Sequence, residues 1–227
     1  MLKNDKLNLR FNRRNQTTDT HFCGFTTLKT ISIHGVTLYP LLIVISLVMT
    51  LAQWPALQPF ITWDASLIAG GQWWRLLSGN FTHTNLIHLG MNTAGLWVIA
   101  FFFRSIAQPK EWLAVLLASS ILIGVTLLGS DIQVYLGLSG TLHGLFAYYA
   151  LKESLSGRNS SWLLIAGILA KVAYECLIGA PESTASMINA RVATEAHLVG
   201  MLAGFALGLL NHKLTPRTVK QSNTDNR

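Results

Sequence analysis

Gly137-Leu138-Ser139-Gly140-Thr141-Leu142-His143-Gly144-Leu145-Phe146-Ala147-Tyr148-Tyr149-Ala150-Leu151 sets a serine between two glycines, carries a histidine one turn later and runs directly into Lys152. Its apolar part, 138–151, is too short to span a bilayer, since roughly 20 apolar residues are needed to cross ~30 Å of hydrocarbon. The other apolar segments are of spanning length or close to it: 36–54, 84–103, 111–128, 162–178 and 194–212. The short segment therefore reads as a helix that starts inside the membrane rather than at its surface. Such a start is tolerated only where protein or a water-filled cavity surrounds the loop before it. The expected fold class is an all-α polytopic membrane protein, a bundle of six transmembrane helices.

Composition agrees. The 227-residue chain is 51% hydrophobic and 12% charged, about half the charge of a soluble domain. Its net charge of +7 would suit nucleic acid if the basic residues shared one face, but long apolar runs separate them. No nucleic-acid partner is expected. Cytoplasmic loops collect Lys and Arg, and here the bias is strong. The N-terminal tail holds Lys3, Lys6, Arg10, Arg13, Arg14 and Lys29, and the C-terminal tail Lys213, Arg217, Lys220 and Arg227. Arg104 and Lys110 follow the second segment, and Lys152 and Arg158 the fourth, so 14 of 17 fall on one face. Only Arg75 and Arg191 lie opposite, with Lys171 inside a segment. Both termini are thus expected in the cytoplasm: a basic tail over 1–35, a six-helix domain over 36–212 and a second tail over 213–227. The first 30 residues lack the apolar core of a signal peptide. Cys23 and Cys176 fall on opposite sides of the membrane in this topology and do not pair.

Ionisable groups within spans are costly and mark function by default. His83, His88 and Asn92 open the second segment, Lys171 and Glu175 lie in the fifth, and Glu195 and His197 in the sixth. At ~1.5 Å per helical residue, counting from the basic residues at the cytoplasmic edge puts Ser139 about 20 Å, Asn92 roughly 18 Å and His197 roughly 24 Å above it. Three residues from three helices share one layer, at the floor of a cavity open to the outside. That layer permits acyl transfer. A serine hydroxyl needs an adjacent base, and His197 is at the right depth. The start of the fourth helix offers N–H groups and positive dipole to an anion. His88 and Asn92, one turn apart, can donate to a developing oxyanion. Gly137 and Gly140 allow a tight turn and close approach of a substrate backbone.

Gly71-Gln72-Trp73-Trp74-Arg75 leading to Phe81, then His83, His88 and Asn92, then Gly137-Leu138-Ser139-Gly140, then Ala196-His197-Leu198-Val199-Gly200 resemble the motifs of the rhomboid intramembrane proteases, in order, over about 72–204. The resemblance implies an intramembrane serine endopeptidase with a Ser139–His197 dyad and no aspartate. His88, Asn92 and the backbone at Ser139 would hold the oxyanion, and His83 would help position the second helix. Transmembrane protein substrates and membrane lipid are the implied partners, the bacterial inner membrane the implied location, and no cofactor or metal is implied. Many rhomboids carry an aromatic residue four positions after the serine, where this chain has His143. The string Gly137–Gly144 resembles the rhombosortase branch, implicated in processing secreted proteins that end in a Gly-Gly-type sorting helix.

Several readings stay open. His143 orients His197, binds a substrate group or only fills the aromatic's space. Lys171 and Glu175, at i,i+4 spacing, form a structural ion pair or contact the substrate. Gly200, Gly204 and Gly208 form a small-residue stripe that would bring the sixth helix close to Gly140 and Gly144. Trp73 and Trp74 read as interfacial aromatics. Rival functions are a metal hydrolase built on His83, His88, His143 and His197, an inactive membrane chaperone or adaptor, and a transporter. No carboxylate stands beside the histidines in the His-Glu-x-x-His manner, since Leu89 follows His88.

Overall fold

A computed structural model describes residues 33–214; most of the basic tails, and Cys23, lie outside the described residues. Six long helices fall on the six apolar segments, with ends within four residues of those read from the sequence: α1 (Ile33–Leu51), α5 (Leu86–Phe102), α6 (Pro109–Leu127), α7 (Ser139–Leu155), α8 (Ser161–Leu177) and α10 (Thr194–Leu214). Short elements fill the connections. They are α2 (Gln58–Ile61), β1 (Trp63–Asp64), α3 (Ala65–Ala69), α4 (Arg75–Ser78), a 3-10 turn Gly79–Phe81, β2 (Val134–Tyr135) and α9 (Glu182–Ile188). Among the described helices α6 alone is long and apolar enough to cross a membrane by itself. Two bent pairs also pass together: Arg75–Phe81 with Leu86–Phe102, at 93°, and Ser161–Leu177 with Glu182–Ile188, at 85°.

α7 is the axle. Its side chains are small or apolar nearly all round, the pattern of a helix buried on every side. Thr141, Ala147, Tyr149 and Ala150 have no exposed surface, and α10, α6, α8 and α5 all contact the helix. The outward faces of the surrounding helices are apolar instead. Leu47 and Leu51 on α1, Val98 and Phe101 on α5, Val125 on α6, Leu163 on α8 and Leu209 on α10 are each half-exposed or more, an apolar exterior that suits lipid rather than water. α7 runs on to Leu155, four residues past the end inferred from Lys152. Charge does not stop it, because Lys152 pairs with Glu111 at 2.6 Å. Glu153 likewise pairs with Arg158 at 2.7 Å and accepts from Ser161 at 2.5 Å.

The glycine stripe does what its spacing suggests. A Cβ on Gly200 would strike the Gly140 carbonyl oxygen, and one on Gly204 the Gly144 carbonyl oxygen. α7 and α10 thus touch backbone to backbone, which fixes the separation of any side chains projecting between them.

Between α1 and α5 the chain makes a knot of short elements that the sequence reading left as loop. β1 pairs antiparallel with β2, Trp63 opposite Tyr135, tying this loop to the segment before α7. Trp63 is fully buried and donates its indole N–H to Gly124 of α6 at 3.0 Å. Arg75, expected on the outer face, is buried there and donates to Gln72 at 2.8 Å and to the Thr62 and Pro59 carbonyls at 2.5 and 2.9 Å. Trp73 and Trp74 remain exposed. Asn80 donates to the Ser120 carbonyl and accepts from Thr141, pinning the loop to α6 and α7.

Candidate active site

Ser139 is the first residue of α7. The turn that presents it needs Gly137, whose φ of +124° lies where a side chain is strained. A Cβ there would also lie 2.8 Å from the His88 ring. Tyr135 donates to the Gly137 carbonyl at 2.7 Å and anchors the turn to the β pair. His197 sits in the first turns of α10, nearly buried. Its Nε2 is 2.9 Å from Ser139 Oγ.

The other imidazole nitrogen has a partner too. His197 Nδ1 lies 2.9 Å from Glu175 Oε2, and Glu175 is buried. Lys171 donates to Glu175 Oε1 at 2.7 Å and lies 3.0 Å from His143 Nε2. His143 Nδ1 donates to the Ser139 carbonyl at 2.7 Å. The His143 ring stacks on His197, centroids 4.2 Å apart and planes 17° from parallel. Lys171 and Glu175 do form the i,i+4 ion pair, but its carboxylate is shared with His197. Adjacency in the sequence puts no carboxylate beside the histidines, yet the fold sets Glu175 against His197. Depth alone puts Glu175 in the right layer, about 21 Å above Ser161 at ~1.5 Å per residue and level with Ser139, but does not say which helix its face meets.

A cavity of about 360 Å³ lies above Ser139, lined among others by His88, Asn92, Tyr135, Lys171, Glu175 and His197. Asn85 caps α5 by accepting from the His88 N–H at 2.8 Å. Thr84 gives its hydroxyl proton to the Ile188 carbonyl at 2.5 Å, so at its 3.1 Å contact with His88 Nδ1 the imidazole must donate. A neutral His88 then presents Nε2 as an acceptor, against the oxyanion-donor role expected of it from the sequence. The Asn92 amide nitrogen, by contrast, is buried with no partner among the described residues, a donor free to meet an acceptor. His83 lies outside the cavity. It is buried, reached by Gln53 at 3.2 Å and Gln58 at 2.7 Å, and meets the His88 ring edge-on at 5.0 Å, so it holds the start of α5 in place.

α9, unforeseen from the sequence, roofs the cavity. Thr84 and Asn85 bind the Ile188 and Met187 carbonyls, and Asn189 ends the helix at φ 53°. Pro181-Glu182 before a short polar run and Asn189 after it were its signals. His143, Glu175 and His197 offer ligand atoms within 4.8 Å of one another. The Lys171 ammonium already lies against two of the three residues, so a metal ion would have to displace a cation hydrogen-bonded to both.

The family described as Rhomboid domain matches residues 70–214. Over 149 residues the chain is 28% identical to YdcA of Bacillus subtilis (strain 168), assigned as a rhomboid protease, covering 63% of this chain and 69% of that one. It is also 28% identical over 150 residues to the rhomboid protease GluP of the same organism, 64% of this chain but only 28% of GluP. With the match running from the loop before α4 to the end of α10, the chain belongs to the rhomboid family of intramembrane serine proteases.

Proposed function

We propose that this protein cleaves transmembrane or C-terminal sorting helices with Ser139 as nucleophile and His197 as general base. The observation that carries the reading is the 2.9 Å contact between Ser139 Oγ and His197 Nε2 at the floor of the cavity. Ser139 Oγ bonds to the scissile carbonyl carbon as its proton passes to His197 Nε2, and the carbonyl electron pair moves onto oxygen. Asn92 and the first N–H groups of α7, unpartnered within the helix, face that oxyanion. Collapse breaks the C–N bond, and the proton on Nε2 leaves with the amine. Water, deprotonated by the same nitrogen, then attacks the ester carbon and frees Ser139.

Six spans with both termini cytoplasmic, in the bacterial inner membrane, are part of the proposal. It is supported by the six long helices and the Lys and Arg distribution. Residues 36–212 form the protease domain in this reading. α1 precedes the family match yet packs Leu38, Leu42, Ile45 and Met49 into the same core as α5 and α7. The rhombosortase-like preference for Gly-Gly-type C-terminal helices is supported by His143, which takes the stacking position on His197.

The test is labelling of purified protein by a fluorophosphonate, together with cleavage of two test substrates, a generic transmembrane helix and a Gly-Gly-type sorting helix. Label that vanishes in Ser139→Ala and His197→Ala is expected, with faster cleavage of the sorting helix. Folded wild-type protein that neither labels nor cleaves would leave the adaptor reading in its place.

A further inference from the structure

We propose that Glu175 is a positioning residue for the reaction. It turns the Ser139–His197 pair into a Ser–His–Glu relay, with Lys171 and His143 fixing its hydrogen-bond direction. The inference rests on the proposed roles of Ser139 and His197 and adds a third member from α8.

The donor and acceptor inventory leaves a single arrangement. The Lys171 ammonium has donors only, so both groups it reaches must accept. One is Glu175 Oε1 at 2.7 Å and the other His143 Nε2 at 3.0 Å. His143 therefore carries its proton on Nδ1, which the 2.7 Å bond to the Ser139 carbonyl requires independently. An ionised Glu175 accepts only, so at Oε2 it must receive the His197 Nδ1 proton. That leaves the lone pair of His197 on Nε2, facing Ser139 Oγ at 2.9 Å. Five side chains from α7, α8 and α10 close a network whose polarity points one way, toward a base ready to take the serine proton.

A structural ion pair does not need this geometry. Lys171 and Glu175 satisfy each other at i,i+4 wherever their helix face points, yet one carboxylate oxygen is spent on the imidazole. The Glu175 side chain is 8% exposed and that of Lys171 50%. The carboxylate is thus turned inward to the histidine, while the Lys171 side chain stays half-exposed. When His197 takes the serine proton it becomes an imidazolium between Ser139 and Glu175, and a buried carboxylate stabilises that cation in place. The His143 ring, laid flat on His197, blocks rotation about the axis that would break both contacts.

The decisive variant is Glu175→Gln. Its amide offers one acceptor and one donor to two groups that both need acceptors. Lys171 claims the oxygen, the NH2 turns to His197 Nδ1, and the imidazole must move its proton to Nε2, where it can no longer receive one from serine. In a triad protease the equivalent carboxylate-to-amide change lowers kcat by about 10⁴. Here fluorophosphonate labelling and cleavage are expected to slow at least about 100-fold, with KM within about threefold. Glu175→Asp should recover at least tenfold over Glu175→Gln. Removing the competing cation should also help: Lys171→Met/Glu175→Gln is expected to label at least tenfold faster than Glu175→Gln, because the amide oxygen is then free to face His197. A readout independent of activity is the ¹⁵N spectrum of histidine-labelled protein, with His197 assigned by its loss in His197→Ala. The wild type should carry the proton on Nδ1 and Glu175→Gln on Nε2. A folded Glu175→Gln that labels within threefold of wild type, a double variant no faster than the single one, or a wild-type His197 protonated on Nε2 each overturns the relay. The first two leave the serine–histidine reading intact. That reading falls separately if Ser139→Ala still labels.

Discussion

The Asn92 amide is a buried donor with no partner among the described residues, and the proposed reaction would bring it an acceptor. An amide nitrogen left unpaired in the interior costs free energy, and a chain tolerates it where an acceptor arrives during the reaction. Removing one oxyanion donor in known hydrolases costs about 10²–10³ in kcat. Asn92→Ala is therefore expected to lower kcat by about that factor with KM little changed, measured on a detergent-solubilised transmembrane substrate. Loss in KM alone would make Asn92 a ground-state contact instead. His143 poses a different question, because two functions overlap in one ring. Phenylalanine keeps the stacking on His197 but loses both the acceptor for Lys171 and the bond to the Ser139 carbonyl. His143→Phe is expected to fold normally and to cleave more slowly, by about tenfold for two hydrogen bonds that orient rather than react. Undiminished cleavage would reduce His143 to its shape.

At the scale of elements, the site depends on how closely α7 and α10 approach. The glycines at 200 and 204 sit against backbone carbonyls of Gly140 and Gly144, and backbone cannot step aside as a flexible side chain does. Gly200→Ala should push the helices apart, lowering the thermal midpoint and suppressing fluorophosphonate labelling together. Gly208→Ala is the control, since its Cβ would meet the Leu151 side chain at 3.1 Å. A Gly200→Ala protein as stable and reactive as wild type would show that the contact is slack. The stripe was legible in the sequence because spacing alone puts small residues on one helix face. So were the six helices, from their apolar lengths, and Ser139 with His197, from their depth. The partner of a face was not legible. Periodicity says that Lys171 and Glu175 share a face of α8 but not that α10 brings His197 to it. Nor does apolarity foresee two-residue strands such as β1 and β2, which are held by a buried Trp63 rather than by a strand-like run.

The described helices are built inside out, and the charge of the loops between them sets which way they face. Apolar side chains cover the outer helix faces, while Glu175 and His197 are buried between helices and Lys171 reaches Glu175 from a half-exposed position, as expected where lipid is the solvent. Fourteen of seventeen Lys and Arg fall on one face if the six long helices each cross once, and loop charge of this kind sets topology. The active-site cavity then opens to the opposite face, under the roof of α9. Two exposed loop positions separate the alternatives: Asp131, between α6 and β2, and Asn159, between α7 and α8. In a Cys23→Ser/Cys176→Ser background, Asp131→Cys should react with a membrane-impermeant maleimide in intact spheroplasts. Asn159→Cys should react only after permeabilisation. The reverse pattern would turn the cavity toward the cytoplasm, and equal reactivity of both would mean that α7 does not cross. Since Ser139 opens α7, that last outcome would also remove the reason for its depth, and with it the link between a short helix and a serine buried in the membrane.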